Sequence, residues 1–542
     1  MKPSKKLQVF LPLILSVVLA LGMFLGFKLR DSYKLPNRGV QLFIGHPSTI
    51  DQILTLIRNK YVDSVNDSLL RQAAINGILH QLDPHSVYIP PQDVASVNAE
   101  LAPEFGGIGV EYMLWHDTLT VLHVIPGTPA SKAGLQPGDQ LLAANHSPLS
   151  GHSLTTDQIQ DILRGPVGSS LTLEVKRFHQ TRPFQLSLKR GEIPTSSVDA
   201  ALMLNAETGY IRLNVFGADT YPEWKKAVTR LKQRGMHQLI MDLRDNPGGY
   251  MEAALRIADE CIPGRKLLLY TQGLHYPRED YYSSNDGIFE NGKLAVLVNE
   301  NSASGSEILA GILQDWDRAV IIGRRTFGKG LVQEQYTLPD GGALRLTVAR
   351  YYLPSGRCIQ KPYNSDSNFH AYDDDILNRY TDGEMFSRDS IHPRDTTPYY
   401  TRIRKRVVYA ENGITPDIFV PLDSAAIDPF IAHAYALGLF QFYALQYYLT
   451  HSSVWTQFRE WTDFASNFDW QPGDLERFLT FCRQQGIYPP QHLTHEEQTY
   501  ILTQLKAALA RILWGSEGYD GIRAATDRAV QKAISWMQGK EK

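Results

Sequence analysis

Cysteine is scarce. Cys261, Cys358 and Cys482 are the only three in 542 residues, far apart and without CxxC spacing. That excludes a disulfide framework and a cysteine-built zinc site, and leaves the redox compartment undefined. An excess of one charge is also missing: 54 Lys+Arg against 57 Asp+Glu gives a net charge of -3. No global basic field is therefore present to gather nucleic acid. The zinc-protease pattern HExxH and the esterase elbow GxSxG are both absent, which disfavours a Ser-His-Asp esterase on an α/β-hydrolase fold. The 16 histidines are scattered, and His85 and His123 read as turn and strand residues. What is present is apolar: 43% of residues are hydrophobic and 20% charged, so the chain can bury real cores. At about 150 residues per domain the length suggests three or four domains.

From Leu7 to Phe27 there are 21 residues without a charge. As a helix they would measure roughly 32 Å, close to the roughly 30 Å hydrocarbon core of a bilayer. Lys2, Lys5 and Lys6 precede the run, Lys28 and Arg30 follow it, and no small-x-small cleavage site appears at FLGFKLRD. A retained signal anchor over residues 1–30 is favoured over a cleaved signal peptide. The basic-then-apolar order places the remainder outside the cytoplasm, as in a bacterial inner-membrane protein facing the periplasm.

Further along, residues 31–101 read as a tether and a helical segment, with Ile50, Ile53, Leu54 and Ile57 at helical spacing and a break at Asp83-Pro84. Residues 102–190 carry short β-like runs between Gly/Pro turns, a small β domain with one helix, TTDQIQDILRG. Residues 191–424 alternate strands (GYIRLNVF, HQLIMDL, LAVLVNE, AVIIG) with helices (EWKKAVTRLKQRG, YMEAALRIADEC, SEILAGILQDW), which argues an α/β core with at least partly parallel strands. A polar stretch at 359–410 reads as an insertion loop. From Asp428-Pro429 the chain reads helical to its end, so 425–542 forms an all-α extension.

The sharpest chemical signal is VLVNENSASGSEILAGIL. A buried-type strand ends in a turn holding Ser302, Ser304 and Ser306, and a helix starts near Glu307. Such a turn exposes a hydroxyl, and the helix start offers free N–H groups to a developing oxyanion, although an ordinary Ser-rich cap has the same composition. Downstream, Gly323-x4-Gly328-Lys329 imitates a phosphate-binding P-loop. Gly330 stands where a magnesium-binding Ser or Thr is required, and a β-hairpin rather than a helix follows. Lys329 has a better use as a base, although taken alone it reads equally as a solvated lysine in a glycine turn. A lysine can take a serine proton only if its pKa falls well below about 10.4, a cost of roughly 4 kcal/mol for about 3 units that burial must supply. Phe327, Leu331 and Val332 are apolar neighbours, and Gln333 could orient the amine without adding charge. In LIMDLRDNPGGYMEAAL, a strand-to-helix junction carries Gly248 and Gly249, which let a backbone N–H face a ligand.

Taken in order, these pieces resemble the C-terminal processing peptidases, or tail-specific proteases: serine-lysine endopeptidases with an embedded PDZ domain. The resemblance runs over about residues 50–425 and rests on KYVD, LDPHSVYIPP, FGGIGVEY, AGLQPGDQLLAAN, LRGPVG, DLRDNPGG, NSASGSEILAG and TFGKGLVQ. It implies a multidomain α/β (α+β) protein, with a PDZ domain at 102–190 and a ClpP/crotonase-like peptidase core at 191–424. Ser304 becomes the nucleophile, Lys329 the general base and Gln333 its orienting partner. Gly305, Gly248 and Gly249 become the oxyanion hole. Gly107, Ile108, Gly109 and Val110 become the loop that captures a terminal carboxylate while the peptide adds a strand. Arg164 resembles an arginine that couples tail binding to the lysine. The implied activity is cleavage of tail-bearing peptides and proteins through an acyl-enzyme, with no metal and no organic cofactor. Membrane attachment and homo-oligomerisation through the helical segments are further expectations. The rival reading is a catalytically inactive PDZ scaffold.

Overall fold

The computed structural model describes residues 48–99, 104–151, 154–284, 286–363, 370–392, 396–410 and 412–540. The expected anchor and the tether up to residue 47 lie outside them, and no helix among the described residues is long and apolar enough to cross a membrane. Residues up to Ile75 and those from Asn76 onward form two compact units. In the first, the helix Thr49–Lys60 starts at Ser48, whose Oγ accepts the Asp51 N–H at 3.2 Å. Asp51 in its first turn, with Arg58 and Lys60 in its last, complements the helix dipole.

In the second unit the lead-in is not simply helical. After Leu79 the chain turns, forms the strand Val87–Ile89 and then the helix Pro91–Ala99. Asp83 causes the turn, because one of its carboxylate oxygens accepts the N–H groups of both His85 and Ser86 at 2.8 Å. The strand pairs with Ala343–Tyr352, some 250 residues later in the chain. A partner that distant leaves no periodic trace around residue 87.

The small β domain is a sheet of Val110–Trp115, Thr118–Val124, Gln140–Ala144, Ser170–Lys176 and Phe184–Lys189. Its core buries Leu119, Val121, Leu141, Leu173 and Val175 completely or nearly so. The expected helix spans Thr156–Leu163, opened by a capping box between Thr155 and Gln158. Among the described residues Val110–Trp115 is an edge strand, paired only with Thr118–Val124.

The core sheet runs Val198–Met203, Thr208–Leu213, Gln238–Asp242, Lys293–Val298, Val320–Gly323 and Ile418–Phe419, parallel throughout except for the first pair. Its central strands are covered on both faces, which is why they read as unbroken apolar runs. Leu239, Met241, Val296 and Val298 pack on one side with Trp224 and Leu309 from the helices Thr220–Gln233 and Gly305–Asp315. Ile240, Ala295, Leu297 and Ile322 pack on the other side against Val530, Ala533 and Met537 of the helix Arg528–Met537. The C-terminal extension therefore completes the α/β core rather than hanging from it.

That extension is helical as expected: Asp428 accepts from Ile431 N–H, and Thr494 and Glu497 make a capping box. It also grips the β domain. Trp115 stacks on Phe442 with ring centroids 4.0 Å apart, and Arg511 pairs with Glu111 at 2.8 Å. The stretch 359–410 is more ordered than a loop among its described residues. It contains the helix Asp375–Thr381 and a hairpin of Pro398–Tyr400 with Val407–Tyr409.

Candidate active site

Ser304 stands between the strand Lys293–Val298 and the helix Gly305–Asp315, with φ 51° and ψ -111°. A non-glycine residue at this φ costs about 1–3 kcal/mol, a strain common where a side chain must be thrust out of a turn. Its neighbours in the turn are occupied: Ser302 Oγ donates to Leu243 O at 2.8 Å, and Ser306 Oγ to Asn246 O at 3.0 Å. Of the three serines, Ser304 is the one that lines a cavity of about 530 Å³, together with Lys329, Gln333, Gly248 and Gly249. Residues brought from three separate motifs thus meet in one place.

Lys329 follows the strand Val320–Gly323 in a glycine-rich loop and precedes the hairpin strand Leu331–Thr337. No helix follows it, so the phosphate-loop likeness ends at the sequence. Its Nζ donates to Gln333 Oε1 at 2.9 Å, and Gln333 Nε2 donates to the His85 carbonyl at 2.7 Å. The second bond fixes the first: the amide nitrogen must face a carbonyl, so the amide oxygen is left for the lysine. Burial pushes the Lys329 pKa below its ordinary value and the Arg345 charge adds to this, while Asp83 and Glu307 oppose both. Among the described residues no hydrogen bond joins Lys329 Nζ to Ser304 Oγ.

Sequence reasoning passed over Glu307, three residues after Ser304. Its fully buried carboxylate accepts from Thr326 Oγ1 at 2.5 Å and Gly328 N at 2.7 Å through Oε1, and from Lys329 N at 2.8 Å and Ser304 N at 3.0 Å through Oε2. One side chain thereby ties the serine turn to the lysine loop. Burial raises its pKa against the pull of those four donors. The S/T-x-x-E pattern was visible, and it marks an ordinary capping box far more often than a clasp of this kind.

The lysine loop is braced from behind by the 359–410 stretch. Arg379 donates to the carbonyls of Arg325, Thr326 and Phe327, and Lys361 N–H to that of Gly328. His85 lies in the same layer, its Nε2 2.6 Å from Tyr372 Oη. Burial, with help from the Lys329 charge, drives its pKa down to about 4, which keeps it neutral.

The glycine junction divides its labour. Gly248 has φ 98°, and a Cβ there would meet Ser304 Cβ at 2.7 Å, so only glycine lets the two turns touch. Its own N–H, however, donates to Asn246 Oδ1 at 2.8 Å and is not free for an oxyanion. Phe216 N–H bonds Gly248 O and Tyr250 N–H bonds Phe216 O, which turns the intervening Gly249 N–H away from Phe216. The N–H groups of Gly249 and Gly305 have no partner among the described residues, and a Cβ on Gly305 would lie 3.5 Å from Gly249 N. The oxyanion expectation is corrected accordingly: Gly248 supplies close approach, and the two free donors belong to Gly249 and Gly305. The loop itself is anchored by Asp242, whose carboxylate takes Arg244 at 2.5 Å and Tyr210 Oη at 2.7 Å.

In the β domain, Gly107, Ile108, Gly109 and Val110 rim a second cavity of about 250 Å³ between the edge strand and the helix Thr156–Leu163. Arg164 also lines it, its guanidinium 4.4 Å from the Phe105 ring centre. Arg164 makes no described contact with Lys329 or Gln333, so the expected coupling has no direct path here.

A parallel α/β core with a serine on a strained strand-to-helix turn is thus joined to a small β domain with an open edge strand. Comparison with known proteins narrows this. Residues 207–367 match peptidase family S41, residues 120–177 match the PDZ domain, and residues 430–515 match a family of unknown function. The carboxy-terminal-processing protease of Bartonella bacilliformis is 35% identical over 313 residues, covering 57% of this chain and 71% of that protein. The carboxyl-terminal-processing protease of Synechocystis sp. is 34% identical over 313 residues, covering 56% and 72%. A solved photosystem II D1 C-terminal processing protease shares 26% identity over 68% of this chain and 92% of its own, with a TM-score of 0.34. The chain is a serine peptidase and belongs to the carboxy-terminal-processing protease family.

Proposed function

We propose that this protein cuts polypeptides selected by their C-terminal tails, with Ser304 as nucleophile, Lys329 as general base and Gln333 as the group that orients it. The observation carrying this reading is the shared cavity in which Ser304, the partly buried Lys329–Gln333 pair and the glycine junction meet. In the neutral amine one N–H is held by Gln333 Oε1, which leaves the lone pair to take the Ser304 proton. Serine Oγ then attacks the scissile carbonyl, and the oxyanion forms against the N–H groups of Gly249 and Gly305. Collapse expels the amine, which takes its proton from Lys329, and leaves an acyl-enzyme. Water, deprotonated by the same amine, releases the acid.

Tail selection is assigned to the β domain. A bound C-terminus would add a strand along Val110–Trp115, its carboxylate on the Gly107–Val110 loop and its last side chain in the cavity beside it. The uncharged run Leu7–Phe27 supports a membrane tether with the peptidase outside the cytoplasm, and the helical segments are the surfaces proposed for self-association.

The test is mass analysis of an unstructured peptide with an apolar C-terminus, incubated with the full-length protein. Ser304→Ala and Lys329→Ala are each expected to abolish cleavage while circular dichroism stays unchanged. Undiminished turnover in both variants refutes the dyad. Tight tail binding with no turnover in the wild type would instead support the scaffold reading.

A further inference from the structure

We infer that Arg345 is a specificity residue, and that its guanidinium takes a carboxylate of the bound polypeptide within the Ser304–Lys329 cavity. The inference rests on the reading of that cavity as the peptidase site.

Arg345 lies on the strand Ala343–Tyr352, opposite Gln335, while Thr347 lies opposite Gln333. Residues two apart on a strand share a face, so Arg345 and Gln333 lie on the same wall. Arg345 lines the cavity with Ser304 and Lys329. It is partly buried, yet among the described residues its side chain makes a single hydrogen bond, from Nη2 to Gln335 Oε1 at 3.2 Å. Gln335 is itself tied back to Asn98 Oδ1 at 3.1 Å. No carboxylate lies in ion-pair range of Arg345 among the described residues.

Other arginines of the core are paired. Arg244, Arg324, Arg325 and Arg357 each hold a carboxylate at 2.8 Å or closer. The carboxylate on the wall of the same cavity, Glu334, is occupied by the hydroxyls of Tyr276 and Tyr336 at 2.9 and 2.5 Å. A guanidinium carries five donors in a fork that fits a carboxylate through two parallel bonds. Here most of that fork is unused, and it faces the place where a polypeptide must lie.

The charge is also felt at the working amine, since Arg345 depresses the Lys329 pKa second only to burial. The other groups that bear on Lys329 are Asp83 and His85 ahead of the strand Val87–Ile89, and Glu307 on the helix after Ser304. A carboxylate in this cavity has one unoccupied cation other than the base to bind, and that is Arg345. Two sources fit: an Asp or Glu side chain near the cut, or the free C-terminal carboxylate of a short tail.

The experiment measures binding to full-length Ser304→Ala protein by fluorescence anisotropy. One peptide series carries Glu or Gln at each position flanking the cut with a constant C-terminus, and a second ends in an acid or an amide. The expected result is a preference for the charged member of about ten-fold, the size of one charge-assisted pair. It should fall at least five-fold on adding Arg345→Gln and be largely kept by Arg345→Lys. Loss in the Glu/Gln series assigns a side-chain carboxylate, and loss in the acid/amide series assigns the terminus. Any acid preference carried by the PDZ groove survives Arg345→Gln. Equal charged-to-neutral ratios with and without Arg345, in both series, overturn the inference. Failure of the serine–lysine reading would show separately, as turnover persisting in Ser304→Ala.

Discussion

Glu307 offers the most exacting test of how the site is held. Its two oxygens serve four donors, two each: Thr326 Oγ1 and Gly328 N on Oε1, Ser304 N and Lys329 N on Oε2. In Glu307→Gln one oxygen becomes an NH2 group and must face two former donors. The cheaper orientation places NH2 toward Thr326, whose hydroxyl oxygen can accept, leaving Gly328 N–H unpaired and the Thr326 proton without its present acceptor. One orphaned buried donor costs about 1–3 kcal/mol. In Glu307→Ala all three N–H groups lose their acceptor, and the cost rises to about 3–5 kcal/mol even if some water enters. The two turns would then drift, and misplacing reacting groups by about 1 Å costs on the order of 100-fold in rate. We therefore expect kcat/KM on a quenched-fluorescent tail peptide to fall about ten-fold in Glu307→Gln and at least about 100-fold in Glu307→Ala. Circular dichroism and thermal scans would separate local loosening from unfolding. An alanine variant that folds and retains wild-type kcat/KM would refute the clasp.

Three further outcomes follow from the same geometry. Gln333→Glu places a carboxylate against both Lys329 Nζ and the His85 carbonyl, which favours protonated lysine. Activity needs the neutral amine and so rises with pH; the acidic limb of kcat/KM should move up by about 1–3 pH units, and an unmoved limb contradicts the assigned base. Gly249→Ala should abolish cleavage, because its Cβ would stand 2.2 Å from Phe216 O at a φ of 140°. Gly305→Ala should remain active, since its nearest clash is a ring atom at 3.2 Å and alanine's helix preference of about 1 kcal/mol offsets the crowding. If Gly249→Ala matches wild type in a peptide assay, its N–H is not an oxyanion donor.

The amino-acid sequence by itself determined much of this protein. Alternating apolar runs and amphipathic stretches placed the parallel strands and helices of the core, and the helix TTDQIQDILRG and the helical start at Asp428-Pro429 form as expected. These are local signals, written within one or two turns of the residue concerned. The ordered motifs around Ser304, Lys329 and Gln333 also pointed to residues that the structure brings together in one cavity.

Tertiary structure alone decided what lies against what. Gln333 is aimed by a carbonyl 248 positions away, and the open face of the core sheet is covered by the last helix of the chain. The choice between Gly248 and Gly249 as donor turns on which N–H Asn246 has already taken. Likewise, the unused fork of Arg345 is recognisable only once its surroundings are known to hold no free acid. Each depends on contacts between segments remote in sequence, and side-chain pattern near a residue holds no record of the distant group that will meet it.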